Sequence, residues 1–351
     1  MRRLSILSVG YALAPVGPDA VGGAEQVLTA LDRALVGLGH RSYVVAPAGS
    51  RVAGELIATP PVPAGIDEAA RTDAERAMRR AVMQTLRRRP VDLIHCHGLD
   101  FANTLPQAGP PALVTLHLPP GWYPPGALQP TRPNTWLNPV SAAQAADCPP
   151  GPALLDPVPN GVPVEALGRA RHARRSFTLM LGRICPEKGQ HIALDAVRRA
   201  NVPLLIVGHA FPYPEHLAYV RDEIEPLLDR WRRRIEPVGF ARKRRLLAAA
   251  RCVLVPSLAP ETGSLVAMEA MACGTPVIAY PAGALAEIVE HGRTGFLVRS
   301  PEEMAAAIAA AGTIDPETCR RTARERFPLA RTVESYLGLY RRLAQAQTAP
   351  S

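Results

Sequence analysis

The chain has 351 residues, 47% of them hydrophobic and 20% charged, with a formal net charge of +9. That balance fits a globular protein of about two domains and excludes a disordered or collagen-like chain. No apolar run approaches the ~18–20 residues needed to cross a bilayer, and the opening Met1–Gly10 reads as a strand and turn instead of an export signal.

The elements follow in chain order. Leu4–Val9 is a strand. Gly22-Gly23-Ala24-Glu25 opens a helix that runs to about Leu38 and stops at Gly39, a helix-ending glycine. Ser42–Ala46 is the next strand, and Asp67–Arg88 is helical with an arginine-rich face. Val91–His95 and Ala112–His117 are short and almost wholly apolar, as strands buried on both faces are. Thr135–Val140 is another strand, with Ser141 as the N-cap of a helix. The Pro/Gly-rich stretch Cys148–Pro163 is the best linker, and the basic Arg169–Arg175 extends it. A second cycle begins with the strand Ser176–Leu181. After it come the helix Glu187–Ala200, the strand Pro203–Val207, a helix over Pro214–Arg230 and an extended Arg234–Val238. The helix Lys243–Ala250, the strand Cys252–Val255, the helix Leu265–Ala272 and the extended Pro276–Ala279 follow. Leu285–Glu290 is helical and Gly295–Val298 extended. Helices near Pro301–Ala311, Pro316–Arg326 and Ala330–Ala344 complete the chain. No internal repeat stands out. Strands alternating with helices predict α/β architecture, with two successive doubly wound parallel sheets whose ligands bind beyond the C-terminal ends of the strands.

The six cysteines, Cys96, Cys148, Cys185, Cys252, Cys273 and Cys319, form no C-x-x-C pair and no tight Cys/His spacing. No metal site or cofactor is therefore expected, and scattered single cysteines suit a reducing cytoplasm. Only Lys188 and Lys243 are lysines among the 40 basic residues, so a lysine is the more informative cation here. Aromatic content of 5% offers few stacking platforms and no nucleic-acid motif is present, so nucleic acid is not an expected partner.

Four groups of residues could carry chemistry. Gly22 and Gly23 allow close backbone approach before a helix start, with Glu25 in its first turn. His95, His97 and His117 sit at strand ends; two histidines two apart share a strand face and keep a metal reading open, although no acidic or thiol cluster completes the set. Arg183 and Lys188 lie in the loop Gly182–Gly189 and can reach one point above a strand end, where paired cations suit a diphosphate. Glu261 and Glu269 are eight positions apart in Pro256–Ala279, and Glu269 falls inside a mostly apolar helix, where a carboxylate needs hydrogen-bond donors such as ribose hydroxyls. Lys243, in Arg242-Lys243-Arg244-Arg245, reads as part of a solvated charge run.

The last of these segments resembles the E-x7-E signature of family-four retaining glycosyltransferases, which have the GT-B fold. The likeness continues in Gly22–Glu25, His117, Pro159-Asn160-Gly161-Val162, Gly182-Arg183…Lys188-Gly189 and Gly283-x-x-x-Glu287…Thr294-Gly295, in family order over nearly the whole chain. The resemblance implies two Rossmann-like domains facing across a cleft. They are an N-terminal acceptor-binding domain (1–165) and a C-terminal donor-binding domain (166–326), with a last helix (327–351) that crosses back onto the first. It implies transfer of a sugar, with retained configuration, from a nucleotide diphosphate sugar, UDP before GDP. The acceptor is a small-molecule, lipid-linked or glycan hydroxyl. Arg183 and Lys188 would hold the diphosphate in place of a metal, and Glu269 would bind the ribose. Glu261, helped by Gly263, Ser264 and Leu265, would contact the donor sugar. His117 would stand near the transferred sugar, Gly22 and Gly23 near phosphate and acceptor, and Gly208 and Val238 on the nucleotide side. Glu25 and His97 are acceptor-side candidates. Where the family has Phe-Gly, this chain has Gly263-Ser264. The alternative is a non-catalytic nucleotide-sugar-binding protein or a GT-B epimerase. A cytoplasmic protein is expected, with basic faces such as Arg76/Arg79/Arg80/Arg87 and Arg230–Arg234 as a secondary route to peripheral contact with the inner face of the membrane.

Overall fold

The computed structural model describes residues 2–170 and 172–346. The chain forms two compact units, Met1–Pro159 with Thr332–Ser351, and Asn160–Arg331. The linker expected at 148–163 thus contains the point of division.

In the first unit the elements are β1 (Ser5–Val9), α1 (Gly23–Gly37), β2 (Arg41–Pro47), β3 (Glu55–Thr59), α2 (Glu68–Arg88), β4 (Leu93–Cys96), α3 (Phe101–Thr104), β5 (Ala112–Thr115), β6 (Thr135–Asn138) and α4 (Ala142–Asp147). All strand pairs are parallel, in the order β3-β2-β1-β4-β5-β6. β1, β4 and β5 are buried along their whole length, as strands covered by helices on both faces must be. β3 has no counterpart among the sequence-based expectations. It is an edge strand, only partly buried, whose mixed Glu-Leu-Ile-Ala-Thr pattern carries no continuous apolar run. Asp67 caps α2 by accepting from Ala70 N at 2.8 Å, and Ser141 caps α4 by accepting from Gln144 N at 3.2 Å.

The second unit contains α5 (Val164–Gly168), β7 (Thr178–Leu181), α6 (Gln190–Arg199), β8 (Leu204–Val207), α7 (Pro214–Tyr219), β9 (Arg232–Ile235), α8 (Phe240–Ala249), β10 (Val253–Val255), α9 (Leu265–Ala272), β11 (Val277–Ala279), α10 (Leu285–Ile288), β12 (Gly295–Leu297), α11 (Pro301–Ala310) and α12 (Pro316–Arg326). Its sheet runs β12-β11-β10-β7-β8-β9, again parallel throughout. Counted from its own first strand, this is the strand order of the first sheet. The repeat is therefore one of topology, invisible as sequence similarity. Leu194, Val197, Ile206, Leu254, Ile278 and Ile308 belong to its buried core.

Four boundaries differ most from expectation, and one of them is β9, expected over 234–238 but running from Arg232 to Ile235. The helix expected over 214–230 is regular only through Tyr219, then passes into a π turn at Val220–Ile224 and a 3-10 turn at Glu225–Leu227. Pro226 has no N–H to donate and its ring crowds the preceding turn, so the helix cannot continue regularly. The helix expected from Glu187 starts at Gln190, because Pro186–Lys188 make a 3-10 turn and Gly189 takes φ +68°. α8 begins at Phe240, ahead of the expected Lys243.

The final helix, α13 (Leu329–Ala346), starts in the second unit and continues in the first. Leu329 N donates to Val162 O at 3.0 Å at its start. Further along, Tyr336 and Tyr340 are fully buried. The Tyr336 hydroxyl meets Thr115 Oγ1 at 2.9 Å and receives Asn138 Nδ2 at 3.2 Å, and the Tyr340 hydroxyl meets His95 Nδ1 at 2.7 Å.

Candidate active site

Strand order locates the site before any side chain does. In an open parallel sheet, ligands bind beyond the strand C-termini where the winding reverses. In the second unit that point lies between β7 and β10. The loop after β7 carries Arg183 and Lys188, and the loop after β10 carries Ser257 and Glu261.

These loops meet. Lys188 Nζ lies 2.5 Å from Glu261 Oε1, and Ser257 Oγ donates to the same oxygen at 2.5 Å. Burial alone would raise the Glu261 carboxyl. The Lys188 ammonium, the hydrogen bonds from Lys188 and Ser257, and the Arg183 charge together hold it below its ordinary value, so it is ionised at neutral pH. The backbone fixes the same residue. Glu261 N donates to Ala282 O at 3.2 Å, and Ala284 N donates to Glu261 O at 2.7 Å. Gly283 between them has φ +58°, and a Cβ there would collide with the Glu261 carbonyl. Gly189 plays a similar part: a Cβ there would strike the Pro256 carbonyl, so the two loops approach closely only because the residue is glycine. Leu258 N donates to Glu187 O at 2.9 Å and ties the loops together again.

Three residues past Glu261, Ser264 is the N-cap residue of α9, an eight-residue helix whose N-terminus starts with Leu265. Glu269 lies within α9 and is 4% exposed, so it is not a solvated helix position. Its Oε1 accepts from Lys243 Nζ at 2.6 Å. Lys243 is thus not a member of a solvated run. Its side chain is 18% exposed and reaches from α8 to the carboxylate of α9. Each of the chain's two lysines ends on one of the two glutamates of the E-x7-E segment.

Other expected donor-side residues are placed as follows. Gly208 follows β8, and a Cβ there would meet the Gly182 carbonyl, so its glycine is required by loop packing. Val238 is half-buried between β9 and α8. Gly263 is half-buried in the loop before α9.

In the first unit the winding reverses between β1 and β4. His97 follows β4 and His117 follows β5, and His97 Nδ1 lies 3.0 Å from His117 Nε2 with the rings stacked. Burial pushes the His117 imidazole down to about 3, and holds His97 well below its ordinary value, so both are neutral at pH 7. His97 Nε2 is buried without a hydrogen-bond partner. His95 does not join a metal pair with His97. Its two nitrogens are engaged by Tyr340 and Thr115, at 2.7 and 2.8 Å. Gly22 is the N-cap residue of α1, and a Cβ there would collide with the Glu25 carboxylate, which folds back over it. Glu25 is buried and Gly23 exposed.

Sequence reasoning missed Asp100, in the loop just after His97. It is 2% exposed, and its Oδ2 is buried without a partner. Burial raises its carboxyl to about 7, against partial relief from backbone N–H groups, with the Glu75 charge adding to the rise. The available signal was Gly98, where a Cβ would meet the Asp100 carboxylate. Of the basic faces, Arg79 donates to Asn103 O and Leu105 O, and Arg232 pairs with Asp229 at 2.7 Å, so these guanidiniums serve the fold. Among the described residues no helix is long and apolar enough to cross a membrane.

Two parallel six-stranded sheets of this order, flanked by helices, match the GT-B fold of solved glycosyltransferases. The comparisons agree. Residues 21–148 match the family model "Glycosyltransferase Family 4" and residues 175–312 match "Glycosyl transferases group 1". The chain belongs to the family-four glycosyltransferases. It is 31% identical over 228 residues to a D-inositol 3-phosphate glycosyltransferase of Mycobacterium avium, covering 56% of this chain and 51% of that one. The chain spans about half the length of the curated relatives it matches. Among solved structures it resembles AviGT4, a glycosyltransferase involved in avilamycin A biosynthesis, with TM-score 0.68 and 26% identity over 97% of this chain and 98% of that one. It also shares the fold of Anabaena HepE in complex with UDP and glucose, with TM-score 0.74 and 21% identity over 96% and 99% of the two chains.

Proposed function

We propose that the chain transfers a sugar from a nucleotide diphosphate sugar to a hydroxyl acceptor, with retention of configuration and with no metal in the transfer step. The observation that carries this reading is the Lys188–Glu261 pair at the switch point of the second sheet. When the bond to the sugar breaks, negative charge develops on the leaving diphosphate. Arg183, Lys188 and the N–H groups at the start of α9 are the groups to receive it, and a preorganised donor of this kind is often worth ~3–4 kcal/mol in the transition state. A bound phosphate competes with Glu261 for the Lys188 ammonium, and the ionised Glu261 then accepts hydroxyls of the donor sugar. Glu269, already desolvated and oriented by Lys243, accepts the ribose hydroxyls. Gly208 and Val238 lie on the nucleotide side, and Gly263, Ser264 and Leu265 supply backbone contacts. UDP is the first choice of nucleotide, in line with the UDP named for HepE, and GDP the second. Retention follows from same-face substitution without a covalent intermediate. His117, with His97, Glu25, Gly22 and Gly23, forms the acceptor-side group, where neutral imidazoles act as hydrogen-bonding groups.

The test is transfer from UDP- and GDP-sugars to a panel of hydroxyl acceptors, with the anomeric configuration of the product read by NMR. Lys188→Ala is expected to lower turnover at least about tenfold with the circular dichroism spectrum intact, and added Mg²⁺ to leave the rate unchanged. Normal turnover in Lys188→Ala removes the phosphate role. Tight nucleotide-sugar binding with neither transfer nor hydrolysis makes the protein a binding module instead.

A further inference from the structure

Beside the strand-end pair stands a second cluster that the proposed reaction leaves unused. Cys185, Glu187 and His216 place a sulfur, a carboxylate oxygen and an imidazole nitrogen all within 4.8 Å of one another. Cys185 and Glu187 come from the loop after β7, and His216 from α7 after β8. Sequence spacing conceals the set because the third member lies on a different element. Cys185 is completely buried, His216 is 7% exposed and Glu187 is half-buried.

The cluster is incompletely satisfied by the protein. Buried polar groups in native proteins nearly always have partners. The Cys185 thiol hydrogen-bonds the Glu187 side chain, Nε2 of His216 stands 4.0 Å from Glu187 Oε1, and Nδ1 of His216 is buried with no partner. His95 shows the contrast, a buried structural histidine with both nitrogens engaged.

We propose that Cys185, Glu187 and His216 form a zinc site, one sulfur, one oxygen and one nitrogen ligand each, with a fourth position for water. A mixed S/N/O set suits zinc, whereas magnesium and calcium select oxygen ligands. Zinc bonds of ~2.0–2.3 Å require the three atoms to draw in by about an ångström. Charge also balances. Binding displaces the thiol proton to solvent, and the resulting thiolate with the Glu187 carboxylate neutralises a divalent ion. A neutral assembly is what a buried position beside Arg183 and Lys188 tolerates. The bound ion ties the loop after β7, which carries both phosphate-directed cations, to α7. The inference rests on ligand geometry alone and stands or falls separately from the transfer reaction.

Chelator-treated protein, dialysed free of chelator, is titrated with Zn²⁺ and, separately, with Co²⁺. One equivalent of zinc by elemental analysis is expected, together with a thiolate-to-cobalt absorption band. Cys185→Ser should abolish that band, and Glu187→Gln and His216→Gln should each weaken zinc binding at least about tenfold. Folding of each variant is checked by circular dichroism. Glu187→Gln changes a half-buried side chain, so it decides the question if either fully buried variant unfolds. Folded wild-type protein that takes up no zinc, or zinc affinity unchanged in Glu187→Gln, overturns the proposal.

Discussion

Lys243 and Glu269 form a buried charge pair between α8 and α9, with the carboxylate almost wholly out of water. Removing one member of such a pair strands the other, which typically costs ~3–5 kcal/mol, whereas replacing both costs far less. Lys243→Met should therefore lower the unfolding free energy by about 2–4 kcal/mol, the lower end reflecting partial exposure of the ammonium. Adding Glu269→Gln should return most of that loss in urea titrations. Additive losses would show that the pair is not coupled. Asp100 gives a prediction in pH. Its carboxyl is raised to about 7, so between the unfolded value near 4 and pH 7 the folded chain holds a proton that the unfolded chain has released. Its contribution therefore becomes unfavourable as pH rises through that window. Asp100→Asn should be more stable than the parent at pH 8 by at most ~4 kcal/mol, and nearly equal to it at pH 4. A difference that does not vary with pH would contradict this origin. Both residues show where sequence reasoning stops. Lys243 sits in a run of four basic residues, and only the fold reveals that its ammonium points at a carboxylate 26 positions later. Glu269 was legible because a lone carboxylate in an apolar helix demands a partner.

At the scale of elements, the strand-end loops matter more than the strands. Gly283 is a half-buried loop glycine with no chemistry of its own, yet its left-handed backbone and missing side chain let the loop after β11 clasp Glu261 on both its N–H and its carbonyl. Gly283→Ala combines an unfavourable φ with a clash against that carbonyl. The expected result is a loss of ~1–3 kcal/mol of stability and a fall in donor turnover larger than the rise in donor KM, because Glu261 moves off its oriented position. Unaltered kinetics in a destabilised variant would mean that Glu261 needs no such hold. Central strands such as β4 and β5 were legible as short, almost wholly apolar runs. β3 was not, because an edge strand half open to water has a mixed pattern. Nor was the break after Tyr219: the pattern stays helical in period, and a single proline decides the backbone.

Across the whole molecule, the doubly wound plan was legible because strand and helix alternate twice along the chain. The equivalence of the two sheets was not, because strand order is a property of pairing and leaves no trace in residue identity. The last helix has a consequence for biosynthesis. The second unit is complete once Arg331 has been made, but the first still lacks Thr332 onward. His95, Thr115 and Asn138, translated early, bond one another, but His95 Nδ1 waits for the Tyr340 hydroxyl, and Thr115 and Asn138 for the Tyr336 hydroxyl, before the buried polar group is complete. Domains generally fold as units while the ribosome works from the N-terminus. Here the unit whose strands are made earlier closes later than the other, and a nascent chain halted before α13 is made leaves that unit with its polar centre open.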